Sequence, residues 1–190
     1  MDLKKIILVR HGETEWSLSG KHTGKTDVPL TSQGEMQAKN LLQAIKDHSI
    51  QHALISPSKR AKDTFFLSNL VVAHELDEDL CEWNYGSYEG MTSLDIQKIN
   101  PGWNLFAEGA PGGESLHDMK IRADRVLTKA LSLEGTIAIF SSGHILRSLA
   151  ARFLKSPVSF GQHLMLSPAS ISILTYEHKA PAIALWNKTQ

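Results

Sequence analysis

Short apolar runs alternate with longer segments of helical periodicity along most of this chain, and no other feature constrains its fold as strongly. Apolar runs of this length are typical of strands buried on both faces of a sheet. The predicted strands lie at 6–9, 52–55, 71–73, 136–140, 169–176 and 182–186. The predicted helices lie at 32–47, 57–70, 93–99, 113–131 and 143–154. This order predicts an α/β fold of three layers, α/β/α, around a mainly parallel central sheet.

Local signals place several element ends. Ser32 and Glu35 have the spacing of a capping box, and Ser56 with Pro57 fits an N-cap followed by a first helical position. Ser115 and Asp118 precede the long helix in the same way. A turn near 179–181 separates the last two strands, which predicts an antiparallel edge of the sheet.

The chain length favours a single domain over residues 1–190, with one unusual segment inside it. Residues 77–112 are rich in Gly, Pro, Trp and Asn and contain one short helical candidate, 93–99. Long loops in α/β folds often shape the active site at the carboxyl ends of the strands. We therefore expect this segment to form an inserted lid or wall beside the site.

Composition argues against several classes of partner. Twenty basic and twenty acidic residues balance, which disfavours non-specific binding to nucleic acid or to acidic membranes. The single cysteine, Cys81, can form neither an internal disulfide nor a thiolate metal site, which fits a reducing compartment. The first apolar run is too short for a signal peptide or a membrane span, so we expect a cytoplasmic protein. No apolar face clearly lacks an internal partner, and the sequence predicts no oligomeric state.

Side chains suited to phosphate follow three of the predicted strands. Arg10 and His11 follow the first strand, Arg60 opens the helix after the second, and His144 follows strand 136–140. The carboxyl ends of these strands share one edge of the sheet, where such folds bind ligands. Arg10 and His11 alone would favour a solvated loop, and His144 alone a partly buried structural histidine. Together they predict a phosphate-sized site, with helix N–H groups as further donors.

The start of the second helix adds to this prediction. Lys59, Arg60 and Lys62 lie at the positive end of the helix dipole, where cations are mildly unfavourable. A bound anion would make the same positions favourable, so we expect an anion at this helix N-terminus.

Acidic and metal-binding candidates are less distinctive. Glu82 lies beside Trp83, and apolar neighbours could raise its pKa by desolvation and keep it protonated near neutral pH. Glu78, Asp79 and Glu89 compete with it for this role. His48 and His52 have i,i+4 spacing, but they straddle a helix end and a strand start without a third ligand, so no metal site is predicted.

These residues lie in motifs that resemble the histidine phosphatase superfamily, which includes cofactor-dependent phosphoglycerate mutases and many small phosphatases. The motifs are LVRHGETEW (8–16), TGKTDVPLTSQGE (23–35), SPSKRAKDT (56–64), EWNYGSYEG (82–90), GGES (112–115) and SSGHILR (141–147). They follow the order and spacing of the family over about residues 3–155. Within the family, the chain most resembles the phosphatase branch with enzymes of the sedoheptulose bisphosphatase type.

The resemblance implies a phosphoglycerate mutase-like fold and a role for each residue of the site. His11 resembles the nucleophile that becomes a phosphohistidine. Arg10, Arg60 and His144 resemble the pocket that holds the phosphate oxygens. Glu82 resembles the acid that protonates the leaving alkoxide and then activates water. This scheme needs no metal and no cofactor.

Three departures from the mutases bear on function. Ser17 stands where mutases usually carry asparagine, but it still offers a hydroxyl to phosphate. Thr23 could donate a second hydroxyl to phosphate or stabilise a cap or turn. Residues 90–112 contain no arginine, whereas mutases carry paired arginines there; Lys98 is the one basic residue of this segment. Trp103, with Asn104 and Phe106, could either cover a substrate or pack the insert.

We therefore expect a metal-independent phosphomonoester hydrolase that acts on small phosphorylated metabolites, with sugar phosphates favoured. The alternatives are a cofactor-dependent phosphoglycerate mutase and a phosphohistidine or phosphoprotein phosphatase. A non-catalytic binding module is disfavoured because none of the key positions is replaced.

Overall fold

A six-stranded sheet in the order β3-β2-β4-β1-β5-β6 forms the centre of the computed structural model, which describes residues 4–189. Residues 1–3 and 190 of the predicted domain lie outside the described range. The strands are β1 (Ile6–Arg10), β2 (Ile50–Ile55), β3 (Ala73–Leu76), β4 (Thr136–Ser141), β5 (Ile171–Glu177) and β6 (Ala180–Lys188). Strands β1 to β4 are parallel to one another, whereas β5 pairs antiparallel with both β1 and β6 at one edge. The predicted mainly parallel sheet with an antiparallel edge is confirmed.

Helices cover both faces of the sheet. They are α1 (Glu15–Ser19), α2 (Ser32–Ile45), α3 (Lys59–Leu67), α4 (Ser93–Ile99), α5 (Leu105–Glu108), α6 (Leu116–Ser132) and α7 (Gly143–Phe153). Leu41 and Phe65, from α2 and α3, pack on one face, and Val126 and Leu149, from α6 and α7, pack on the other. Strands β1, β2 and β4 are buried between these layers, which explains their continuous apolar runs. No helix within residues 4–189 is both long and apolar enough to cross a membrane.

One predicted helix cap and two predicted helix starts are wrong; the long helix predicted from residue 113 begins at Leu116, after its cap at Ser115. Thr31, not Ser32, caps α2, because its side chain accepts from the Gly34 N–H. The third helix begins at Lys59 rather than Pro57, because the Ser56 N–H still donates to the Phe140 carbonyl and extends the sheet hydrogen bonding past β2. The capping box of Ser115 and Asp118 is confirmed.

Strand boundaries at the sheet edges also differ from the prediction. The third strand lies at Ala73–Leu76 instead of 71–73, since Val71 is almost fully exposed and the pairing with β2 starts at Ala73. The final turn consists of His178 and Lys179, both at positive φ, so β6 begins at Ala180.

The insert at 77–112 contains α4, α5 and two short 3₁₀ turns at 78–80 and 86–88. Its aromatic side chains are buried in the same apolar cluster as α6 and α7; they are Trp83, Tyr85, Tyr88, Trp103 and Phe106. The insert therefore forms a packed wall at the carboxyl edge of the sheet.

The loop after β1 lies directly against the first turn of α2. A Cβ built on Gly34 would lie 2.1 Å from the Glu13 carbonyl oxygen, which leaves no room for a side chain. Gly34→Ala should therefore lower the free energy of unfolding by about 1–3 kcal/mol, measured by denaturant titration. The neighbouring exposed change Gln33→Ala is the control and should have little effect. Equal stability of the two variants would contradict this close contact.

Candidate active site

A cavity of about 160 Å³ opens at the carboxyl ends of β1 and β4. Its walls include six residues singled out in the sequence: Arg10, His11, Ser17, Thr23, Glu82 and His144. The remaining lining residues are Gly20, Lys21, His22, Tyr85, Gly143, Arg147 and Leu166. The structure thus brings together side chains that are far apart in the sequence, as the shared strand edge predicts.

His11 is held at the floor of this cavity by its own backbone and ring. Its N–H donates to the Ser141 carbonyl at the end of β4 (2.9 Å), and the next N–H, of Gly12, donates to Thr64 Oγ1 of α3 (3.0 Å). The Nδ1 atom lies 2.7 Å from the Gly12 carbonyl oxygen. Because a carbonyl can only accept, Nδ1 carries a proton, and in the neutral ring the lone pair therefore lies on Nε2.

The surroundings of His11 favour its neutral form. The side chain is buried, and this burial, with the charges of Arg60 and Arg10, lowers the pKa of His11 well below 6.5. A neutral imidazole with a free Nε2 is the form that can act as a nucleophile or accept a hydrogen bond.

Arg10 supplies an unsatisfied donor next to His11. Its Nη1 donates to the Leu166 carbonyl, but its Nε is buried and has no hydrogen-bond partner in residues 4–189. Burial lowers the pKa of Arg10, while the Glu82 carboxylate opposes that shift. A buried N–H without an acceptor is costly, so an anion in the cavity would relieve that cost.

Arg60 is buried close to His11, and its role in holding phosphate stays a prediction. Its guanidinium is fully buried and donates to Ser142 Oγ and to the carbonyls of Thr23, Gly24 and Thr26, at 3.0–3.1 Å. It is absent from the described residues that line the cavity. The structure therefore places Arg60 behind the wall, where it anchors the loop that carries Thr23.

Internal carboxylates occupy the two helix N-termini where we expected an anion or free N–H groups. At α3, Asp27 Oδ1 accepts from the Lys59 N–H at 2.7 Å. At α7, Glu82 accepts from the His144 and Ile145 N–H groups at 2.8 Å each. The expectation that these N–H groups point at phosphate is therefore wrong, because the chain caps both helices with its own carboxylates.

Glu82 is buried, but its environment is polar rather than the apolar one expected. In addition to the two N–H groups of α7, its Oε1 accepts from the Trp83 N–H at 2.8 Å. These three donors stabilise a negative charge that apolar neighbours alone would disfavour. Glu82 also borders a larger cavity of about 570 Å³ on the side of Cys81 and Glu114. Glu82 thus lines both this larger cavity and the cavity that contains His11.

His144 faces the cavity from the first turn of α7. Its Nδ1 lies 2.5 Å from the Tyr85 hydroxyl and 3.8 Å from Glu82 Oε2. Burial, followed by the charges of Arg147, His22 and Arg10, lowers the pKa of His144 well below 6.5. Burial and Glu82 raise the pKa of Tyr85, so a protonated phenol orients a neutral imidazole.

The weaker candidates have mixed positions. Ser17 lines the cavity, but its hydroxyl already bonds to the Thr14 N–H and carbonyl in the capping box of α1. Thr23 Oγ1 donates weakly to the Lys21 carbonyl at 3.3 Å.

Trp103 is buried, with its Nε1 bonded to the Gly109 carbonyl, and it lines a neighbouring cavity instead. Trp103 therefore packs the insert and lines a cavity, and its contact with a substrate stays a prediction.

The sequence analysis missed five lining side chains, the polar Lys21, His22, Tyr85 and Arg147 and the apolar Leu166. For two of them, the spacing from a predicted site residue indicates a position at the cavity. Tyr85 lies three residues after Glu82 in the same motif, and Arg147 lies three residues after His144, on the same face of a helix.

No group of three or more His, Cys, Asp or Glu side chains that could hold a metal occurs in the described part of the chain.

Residues 6–189 match the family model of the histidine phosphatase superfamily, branch 1. The chain belongs to this superfamily. An acid phosphatase of Mycobacterium tuberculosis is 35% identical over 189 residues, covering 97% of this chain and 93% of that protein. A sedoheptulose 1,7-bisphosphatase of Saccharomyces cerevisiae is 33% identical over 179 residues, covering 77% of this chain and 66% of that protein.

The fold comparison agrees with the family assignment. A solved structure of a Mycobacterium tuberculosis open reading frame superposes with a TM-score of 0.94 at 35% identity and covers 98% of each chain. The sequence-based assignment to the phosphatase branch of this superfamily is confirmed, and the chain is an enzyme of the histidine phosphatase type.

Arg122 of α6 fixes the segment around Glu82. Its guanidinium donates to the carbonyls of Asp79, Cys81 and Glu82, and its Nη2 lies 2.7 Å from Glu114 Oε2. Glu114 in turn accepts from the Asn84 N–H at 2.8 Å. This largely buried ion pair therefore holds the backbone on both sides of Glu82.

Arg122→Met should lower the free energy of unfolding by about 3–5 kcal/mol, because it leaves the Glu114 carboxylate without its partner. It should also lower kcat/KM, because Glu82 loses its backbone support. Thermal unfolding and phosphate release measure the two effects. Arg125→Met on the same helix is the matched control, and its exposed pair with Asp79 should matter much less. Indistinguishable variants would contradict this support role.

Proposed function

We propose that this enzyme is a metal-independent phosphomonoester hydrolase that acts on small phosphorylated metabolites through a phosphohistidine on His11. The observation that carries the proposal is the setting of the His11 ring, which is buried, has Nδ1 2.7 Å from the Gly12 carbonyl oxygen and shares its cavity with Arg10, whose Nε has no partner among the described residues. A nucleophile and an oxyanion donor therefore face the same phosphate-sized cavity.

In the first step, the Nε2 lone pair of His11 attacks phosphorus while the ester P–O bond breaks. The leaving oxygen takes a proton, and we assign its delivery to the protonated carboxyl of Glu82, the one carboxyl group among the described residues of this cavity. This transfer leaves Glu82 as the carboxylate that its three N–H donors stabilise. Charge spreads over three equatorial phosphoryl oxygens, where Arg10 and the His144 imidazole can donate hydrogen bonds. Arg60 contributes positive potential from behind the wall and holds the Thr23 loop.

In the second step, the Glu82 carboxylate takes a proton from water, whose oxygen attacks the phosphohistidine. The P–N bond breaks, inorganic phosphate forms, and His11 regains its Nε2 lone pair. Glu82 lines the same cavity as His11, which supports this role, because the water must take the place that the leaving group has vacated.

Hydrolysis is favoured over mutase transfer by the insert. Residues 90–112 carry no arginine, so the insert cannot provide the paired guanidiniums expected of a mutase. The narrow cavity and the nearly inaccessible His11 (4% exposed) favour a small ester over a phosphohistidine presented by a protein. The yeast sedoheptulose 1,7-bisphosphatase relative supports sugar phosphates as the substrate class. We also propose a cytoplasmic location, which the single thiol, Cys81, supports.

The His11→Ala variant tests the nucleophile. It should lose at least about a thousandfold in kcat and form no acid-labile phosphoenzyme, because no other group replaces Nε2. The assay follows phosphate release from p-nitrophenyl phosphate and a panel of sugar phosphates, with mass spectrometry of the protein quenched at high pH. His178→Ala, at an exposed histidine outside the cavity, should match the wild type.

Two results would contradict the proposal. One is substantial activity in the His11→Ala variant. The other is a wild-type enzyme that interconverts 2- and 3-phosphoglycerate without net release of phosphate. Treatment with a chelator should leave wild-type activity unchanged, and a loss of activity restored by metal would contradict metal independence.

A further inference from the structure

A second cavity, of about 240 Å³, adjoins the catalytic cavity beneath the insert. His22, His144 and Arg147 line both spaces, which therefore meet at these three side chains. The other lining residues of the second cavity are Ser93, Gln97, Trp103, Asn104, Leu105, Phe106 and Gln162. Arg147 is the one lining residue with a formal charge among them, since burial lowers the pKa values of His22 and His144.

The guanidinium of Arg147 is fixed in place but incompletely bonded. Its Nε donates to the Gly161 carbonyl at 2.9 Å, and its Nη2 donates to the Gln162 carbonyl at 3.3 Å. Its Cζ lies 4.6 Å from the centre of the Phe106 ring. Within residues 4–189, Nη1 has no acceptor and no carboxylate forms an ion pair with Arg147.

A buried guanidinium with unbonded N–H groups, such as that of Arg147, is unfavourable unless an acceptor or a negative charge compensates it. Burial lowers the pKa of Arg147, with Glu82 and Tyr85 opposing that shift, so the cation is desolvated and close to the catalytic residues. A planar guanidinium with free N–H groups at a cavity wall is suited to a carboxylate or phosphate. The neutral amides and hydroxyl of Gln97, Asn104, Gln162 and Ser93 offer hydrogen bonds to a polar ligand but no competing negative charge.

We propose that Arg147 binds a second anionic group of the substrate, on the leaving-group side of the bond that breaks. This inference rests on the proposed hydrolase function and defines the substrate class as small phosphate monoesters that also carry a carboxylate or a second phosphate. Arg147 follows His144 by one helical turn, so the second anion lies within the length of a small metabolite from the transferred phosphoryl group. This arginine comes from α7, whereas the insert contributes none.

The test compares substrates that differ in the second anion alone. One pair is 3-phosphoglycerate and racemic glycerol 3-phosphate, in which a carboxylate is replaced by a hydroxymethyl group. The other pair is fructose 1,6-bisphosphate and fructose 1-phosphate, in which a second phosphate is replaced by a hydroxyl. For the wild type, kcat/KM should favour the doubly anionic member of at least one pair by about tenfold or more. The pair that shows the preference identifies the anion as carboxylate or phosphate.

Arg147→Gln should reduce this ratio to near one, whereas a merely structural role would lower both members of a pair equally. Arg152→Gln, on the same helix but paired with Asp124 outside both cavities, is the matched control and should keep the wild-type ratio. Arg147→Lys retains a charge but not the planar donor set, so its ratio should be intermediate. The lysine variant and the wild-type ratio keep the test informative if the glutamine variant does not fold.

A wild-type enzyme that hydrolyses both members of each pair equally would overturn the inference and leave the hydrolase proposal intact. A preference that survives in Arg147→Gln would also overturn it. Absence of phosphate release from these esters and from p-nitrophenyl phosphate would refute the hydrolase proposal itself, and the inference with it.

Discussion

Positive charge buried around a neutral imidazole is the constraint on which the rest of this site depends. Arg60 is completely removed from water, so its donors need acceptors inside the protein. The carbonyls of Thr23, Gly24 and Thr26, together with Ser142, provide them and tie a loop to the start of α7. The same charge disfavours protonation of His11. One buried guanidinium therefore shapes the cavity wall and, after burial itself and together with Arg10, favours the neutral form of His11 at its floor.

Two carboxylates complete this electrostatic arrangement at the helix N-termini. Asp27 caps α3 and Glu82 caps α7, so the partial positive charges of both helices are compensated by the chain itself. The orphaned Arg10 Nε and the free Arg147 Nη1 are left as donors for a ligand. We therefore expect arginine side chains to contribute more donors to a bound phosphate than the backbone N–H groups at the helix N-termini.

The sequence predicts most of this architecture because its main signals are local. Continuous apolar runs identify β1, β2 and β4, and the strand ends place Arg10, His11 and His144 together without any knowledge of tertiary contacts. The sequence does not distinguish the cap of α2, because Thr31 and Ser32 can both accept from a helix N–H. The positions of Arg60 and Arg147 could not be predicted, since they depend on carbonyls from distant loops.

We expect His11 to be neutral and protonated on Nδ1 in the free enzyme. Nitrogen-15 NMR of the histidine rings as a function of pH measures both properties, and the His11→Ala spectrum assigns the His11 signals among the nine histidines. The structure predicts an Nδ1–H tautomer that stays neutral well below pH 6.5, because burial, Arg60 and Arg10 all disfavour the cation. A ring that titrates near 6.5, or an Nε2–H tautomer, would contradict the account.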